Sequence, residues 1–205
     1  MQKNTTTTEY KKALRQRIID AAMQCFMQKG IKAVRMDDIA NELSISKRTL
    51  YEIFQNKEDL LFEGVKNATE QQSQSMLVYS QQHNDVMQII QHFYVLKIRE
   101  LDTVNPLFFT EINKYDKVRN YLQERHEEQR KNTNKFFLRG VEEGYFLPQL
   151  NYDIVTRLGD ASMEYVMSTK MYKEYSLQEL FKNFVSVLLR GYCTEKGQRL
   201  LEKSL

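Results

Sequence analysis

Two cysteines in 205 residues, Cys25 and Cys193, are too few and too far apart to build a disulfide framework or a zinc ribbon. Tryptophan is absent, and seven glycines with two prolines leave few turns. Stretches that alternate apolar and polar residues at period two are scarce, so an all-α chain is expected. No apolar run approaches the ~20 residues of a membrane-spanning helix. The threonine-rich Met1 to Thr8 carries no apolar segment of the kind that directs secretion. These absences lead us to expect a cytoplasmic protein with no membrane partner.

The residues an enzyme would need are missing too. His83, His92 and His126 are scattered, and no pair of them has the spacing of metal ligands. His126-Glu127-Glu128 lacks the second histidine of a zinc-hydrolase helix, and neither a glycine-rich phosphate loop nor a nucleophile elbow occurs. No catalytic residue, metal or cofactor is expected.

What is present is enough chain for one large or two small domains, burying roughly 70% of the unfolded surface, and an uneven placement of charge. Lys and Arg number 30 against 27 Asp and Glu. The first sixty residues hold 11 basic and 8 acidic side chains and the remainder 19 of each, so the whole positive excess lies near the N-terminus. A polyanion would dock there.

Apolar residues at three- and four-residue steps, Leu14, Ile18, Ala21, Ala22, Cys25 and Phe26, predict a first helix over Glu9 to Lys29, stopped by Gly30. Asp37 and Asp38 open a short helix through Leu43, where acidic residues suit the positive helix end. Ser44 and Ile45 form a tight turn, Ser46 caps a second short helix over Lys47 to Phe54, and Asn56 with Asp59 caps a longer helix over Lys57 to Gln81. Two short helices joined by such a turn and packed on a longer one form a helix-turn-helix. Ala40 permits a close helix crossing, while Ile45 and Leu50 pin the second helix against the first. Lys47, Arg48 and Thr49 fill the first turn of that second helix, where the helix dipole mildly disfavours positive charge. An arriving phosphate would reverse the sign, and Tyr51 and Lys57 flank the helix where each can donate to a DNA backbone.

The run Gly30, Asp38-Ile39-Ala40, Ile45-Ser46, Thr49-Leu50-Tyr51, Phe54, Lys57 and Leu60 resembles the DNA-binding domain of the tetracycline-repressor (TetR/AcrR) family of bacterial regulators, over roughly residues 12 to 62. The resemblance implies that Lys47, Arg48 and Thr49 lie on a recognition helix in the major groove, and that Tyr51 and Lys57 grip phosphates. Two departures stand out. Val34 and Arg35 replace the family's usual threonine pair, and Arg35 is taken as a phosphate or base contact in its place. Ser44 occupies a turn position that is often glycine, which implies a left-handed backbone there. The expected DNA-binding set is therefore Arg35, Ser46, Lys47, Arg48, Thr49, Tyr51 and Lys57, within a helix-turn-helix domain of residues 1–56.

Residues 57–205 are expected to form a C-terminal helical bundle for effector binding and dimerisation. Beyond Gln81 its helices run roughly over Asp85 to Leu101, Pro106 to Lys114, Asp116 to Glu143, Tyr152 to Met171 and Ser176 to Cys193 or slightly beyond, with the Gly144 to Pro148 segment as the clearest break. Leu158, Tyr165, Leu177, Phe181, Phe184 and Leu188 on the last two helices offer more apolar surface than one hairpin hides. The resemblance implies a homodimeric four-helix bundle there, matched to a palindromic operator. Phe93, Phe108, Phe109, Phe136, Phe137, Met163 and Met167 fit either plain core or, as the resemblance implies, a pocket for a small, largely apolar effector with Glu111 or Tyr115 as polar anchors. The function expected is that of a ligand-responsive repressor released from double-stranded DNA by a small molecule. The alternative is a DNA-binding protein of the same fold without such an effector, controlled by a protein partner or organising the chromosome.

Overall fold

A computed structural model describes residues 3–83 and 85–202, with side chains from Glu9 onward. Among these residues ten α-helices follow one another: α1 (Lys3–Lys29), α2 (Met36–Glu42), α3 (Lys47–Ile53), α4 (Lys57–Gln82), α5 (Val86–Thr103), α6 (Pro106–Ile112), α7 (Asp116–Glu142), α8 (Tyr152–Ser168), α9 (Leu177–Tyr192) and α10 (Glu195–Leu201). A 3-10 turn over Met171–Lys173 separates α8 from α9. No strand occurs among the described residues, and the single β-type contact is an isolated antiparallel bridge between Phe146 and Cys193. The chain is all-α, as its composition predicts.

Two compact units are formed, Met1–Gln72 with Val104–Tyr121 and Ser73–Thr103 with Leu122–Leu205. Lys57, where a domain boundary is expected, is the first residue of α4.

In the first unit Ile18, Ala22 and Phe26 of α1, Ile39 and Ala40 of α2 and Leu50 of α3 are wholly buried, together with Ile31, Leu60 and Leu61. α1 reaches back to Lys3, six residues before the expected start. It ends where Gly30 takes φ +83 and its amide donates to Phe26 O at 2.9 Å, the αL stop that glycine enters without steric cost. Asn105 closes the same helix end from a distance. Its amide donates to Met27 O at 2.7 Å and its Nδ2 to Gln28 O at 3.2 Å, while its Oδ1 accepts from Leu107 N at the start of α6. One residue, through its backbone amide and its side chain, thereby satisfies carbonyls left open by α1 and caps α6. Segment 104–121 belongs with the first unit because α6 packs directly on α1.

The second unit is built around a buried cluster of Val86, Met87, Phe137, Tyr145, Phe146, Tyr152, Leu189, Tyr192, Cys193 and Leu201. Phe146 lies so close over Gly140 of α7 that a Cβ there would stand 2.1 Å from its ring. The Phe146–Cys193 bridge is extended by Leu147 N donating to Tyr192 O and Thr194 N donating to Tyr145 O, both at 2.9 Å. This short pairing takes Cys193 out of helical conformation, so the expected continuation of α9 becomes a separate α10, capped by Thr194. Cys25 and Cys193 are both free and buried, and burial raises the Cys193 thiol pKa to about 11.

Candidate nucleic-acid interface

Helices α2 and α3 are joined by a turn that needs one unusual backbone angle. Ser44 adopts φ +53, while Ser44 N donates to Asn41 O and Ile45 N to Ala40 O, both at 3.0 Å. This is the left-handed turn that a Ser in a glycine position implies. Ser46 then caps α3, its Oγ accepting from Thr49 N at 3.0 Å and lying 2.8 Å from Thr49 Oγ1. Both polar groups of Thr49 are thus engaged, and its amide is not free for a phosphate. Leu50 is fully buried beneath α3 and fixes the helix's rotation about its axis, which turns Lys47, Arg48 and Tyr51 to solvent.

Lys47 pairs with Asp37 across the turn, and Arg48 Nε lies 2.9 Å from Glu52 Oε1 along the helix. Both are solvent-exposed pairs of the kind worth ~0–1 kcal/mol, so a phosphate or a guanine edge competes with them at little cost. Arg35 is exposed at the N-cap of α2, where its backbone amide donates to Asp38 Oδ2 at 2.7 Å. Because an arginine side chain accepts no hydrogen bond, that reach-back by Asp38 is the half of a capping box available here.

Lys57 faces inward. Its ammonium donates to Ile31 O and Val34 O, each at 2.9 Å, and so closes the loop between α1 and α2. Partial burial lowers its pKa, with the nearby Glu111 carboxylate pulling the other way. Two of the three ammonium protons are thereby engaged, leaving at most one for a phosphate. Arg15 adds a support that sequence reasoning missed. Its guanidinium lies 4.6 Å from the centroid of the Phe54 ring and 3.2 Å from Glu63, gathering α1, the end of α3 and α4. The four-residue offsets of α1 give no sign of that contact.

The nine residues expected to line an effector pocket fall in both units. Phe108, Phe109, Glu111 and Tyr115 belong to the first. There Phe108 is buried edge-on to Phe109, and Glu111 Oε2 accepts from Lys32 N at 2.7 Å, next to Gly30. Phe93, Phe136, Phe137, Met163 and Met167 belong to the second. Phe137 stacks on Tyr152 at 4.6 Å and meets Phe146 and Tyr192 at 5.7 and 5.4 Å, so protein already fills the space around it. Phe136 packs against the same cluster, whereas Phe93 is exposed and the two methionines are half-buried.

The residues expected at a dimer face also divide. Leu158 and Tyr165 are 59% and 62% exposed on α8, while Phe184 and Leu188 pack beside Gly159 at the α8–α9 contact. Leu177 and Phe181 are instead buried within their own chain, Phe181 stacking on Tyr94 at 5.8 Å, because their side of α9 turns toward α5. Ile154 and Val187, absent from the expected set, are exposed at 53% and 74%. Ile154 precedes Leu158 by one turn and Tyr165 by three, a spacing readable in the sequence; Val187 carries no such signal.

The family model for bacterial regulatory proteins of the tetR family matches residues 18–63, the segment that holds α2, α3 and the turn between them. Over 184 residues the chain is 20% identical to the HTH-type transcriptional repressor KstR2 of Mycobacterium tuberculosis, covering 87% of this chain and 92% of that protein. Among solved structures, the fold is shared with a TetR-family transcriptional regulator from Agrobacterium tumefaciens at a TM-score of 0.74 and 12% identity, covering 90% of this chain and all of that one. It is shared also with the transcriptional regulator FadR of Bacillus subtilis, determined with stearoyl-CoA, at a TM-score of 0.63 and 17% identity, covering 86% and 98%.

Proposed function

We propose that the chain is a DNA-binding regulator of the tetR type rather than an enzyme, a homodimeric repressor of a palindromic operator released by a small, largely apolar effector; the match of residues 18–63 to the tetR family model supports this reading. The observation that carries this reading is α3. Its buried Leu50 anchors one side while Lys47, Arg48 and Tyr51 point outward together from the other, an arrangement that folding stability alone does not favour. Arg48, the most exposed of the α3 cations, would read a guanine through its O6 and N7 acceptors, and Lys47 and Tyr51 would hold the backbone.

Two such heads, related by a two-fold axis, would fit major grooves one helical turn apart, about 34–36 Å. The exposed apolar residues of α8 and α9 supply a self-complementary surface for that pairing. Release requires the effector to favour a state in which the heads are spaced differently. α4, which runs unbroken from Lys57 to Gln82, is the element through which such a change would reach the loop its own Lys57 closes. A coupling of about 1–3 kcal/mol changes affinity ~5- to 150-fold, which suffices. Repression is favoured by the likeness to KstR2, and an effector with an apolar chain by the likeness to FadR with stearoyl-CoA. The filled aromatic cluster around Phe137 favours the alternative, a regulator of the same fold without a small-molecule effector.

Selection of random duplexes by the purified protein at about 150 mM salt, followed by sequencing of the bound pool, tests the proposal. The expected result is one enriched inverted repeat, from which Arg48→Ala removes about 1–3 kcal/mol of specific binding at a single base position. A pool with no enriched sequence would overturn sequence-specific repression. An enriched repeat from which no apolar acid, acyl thioester or steroid displaces the protein would leave the effector-free reading.

A further inference from the structure

α9 has three unlike sides. One is covered by its own chain through Leu177, Phe181, Leu189 and Tyr192, and one offers the apolar Phe184, Val187 and Leu188. The third carries Lys182, Asn183, Ser186 and Arg190 at offsets that keep them on one helical face. That third face is one wall of a cavity of about 360 Å³, closed by Tyr94 of α5 and by Leu201 and Glu202 at the end of α10. All seven lining residues belong to the second unit.

The positive charge in this cavity is not neutralised by an ion pair among the described residues. Lys182 and Arg190 are exposed, and neither makes an ion pair among the described residues. Some arginines elsewhere pair with a carboxylate one turn away, as Arg139 does with Glu143 and Arg157 with Asp153. Glu202 is the one acidic residue of the lining, so two cations face one carboxylate. Lys182 and Arg190 are separated by eight residues, about 12 Å of helix rise, and their long side chains can converge on one extended anion from its two ends. Ser186 lies between them with a hydroxyl that donates, and Tyr94 and Leu201 supply apolar surface for the body of a ligand. The Tyr94 hydroxyl, protonated at neutral pH like any phenol, is a further donor.

We propose that this cavity is a second ligand site, distinct from the DNA interface, that binds a small molecule bearing a diphosphate group, with Lys182 and Arg190 holding the two phosphoryl groups. Two linked phosphates match two cations set apart along a helix better than a single carboxylate does, and a guanidinium binds phosphate oxygens in pairs. The test is calorimetric titration of the full chain with inorganic pyrophosphate and with ADP at low salt, repeated on Lys182→Ala and Arg190→Ala. Both side chains are exposed and unpaired, so both variants are expected to fold, and circular dichroism checks this. The expected result is saturable binding of at least one probe, weakened tenfold or more by each substitution. No saturable binding of either probe up to millimolar concentration, or binding that either variant weakens less than tenfold, would overturn the assignment.

Discussion

Ser44 sits at φ +53, a conformation that costs a residue with a Cβ about 1 kcal/mol or more and costs glycine almost nothing. Its side chain is exposed, so replacement loses no packing. Ser44→Gly is therefore expected to raise the melting temperature by about 2–4 °C for a chain of this size, measured by calorimetry. A lowered value would mean that the hydroxyl supports the turn. Lys57 calls for a paired measurement, because its ammonium bridges two carbonyls and has at most one proton left. Lys57→Met keeps the stem and removes the donors, and should cost about 1–3 kcal/mol of stability. If the third proton also reaches a phosphate, the variant will lose affinity equally for all DNA sequences and show a shallower salt dependence. Unchanged binding alongside lost stability would make Lys57 a loop brace alone.

Among the elements, the start of α5 is tied to the segment after α7 by Glu143, whose Oε2 accepts from Val86 N at 2.9 Å, and by the phenol of Tyr145. Asp85 accepts from Met87 N and Gln88 N as a helix cap, and its second oxygen accepts from Tyr145 Oη at 2.8 Å. That bond, with burial adding to it, raises the Tyr145 pKa to about 12 from an ordinary value of 10. The folded state therefore holds its proton where the unfolded chain has lost it. The resulting stability is complete below pH ~10 and is lost as pH rises through about 12. Tyr145→Phe should lower stability at neutral pH by roughly 1–2 kcal/mol and flatten the alkaline decline. Urea melts of both proteins between pH 9 and 12 should show the gap between them closing. A gap that stays constant would show that the Tyr145 hydroxyl does not titrate with folding. At this scale the sequence was easily read where caps and stops are local. Gly30, Ser46, Asn56 and Gly144 all end or begin helices as their positions predict, since each acts on backbone groups within four residues. α10 was not legible as a separate helix, because its break comes from pairing with Tyr145 and Phe146, almost fifty residues earlier.

For the whole molecule, the exposed Ile154, Leu158, Tyr165 and Val187 are the residues on which the proposed dimer depends. Val187→Lys is expected to leave helical content unchanged, since the side chain touches little of its own chain. It should also shift the protein to a monomer in sedimentation at micromolar concentration, with operator affinity reduced at least tenfold. A dimer that persists would place the interface elsewhere. The same four residues mark where sequence reading stops. Apolar periodicity identified α8 and α9 as carrying more apolar surface than a hairpin hides, but Phe181 and Val187 are equally apolar and only one is covered by the chain's own α5. In the same way Phe137 and Phe93 were indistinguishable as pocket candidates until one was surrounded by three aromatic rings and the other left in solvent. The sequence by itself determined the all-α class, the helix ends marked by local caps and stops, the helix-turn-helix and its outward cations, because these follow from composition and from contacts within one or two turns. Only the tertiary structure decided which apolar faces are filled, which way Lys57 points and where two unpaired cations share a cavity, because each depends on partners that the chain brings together from tens of residues away.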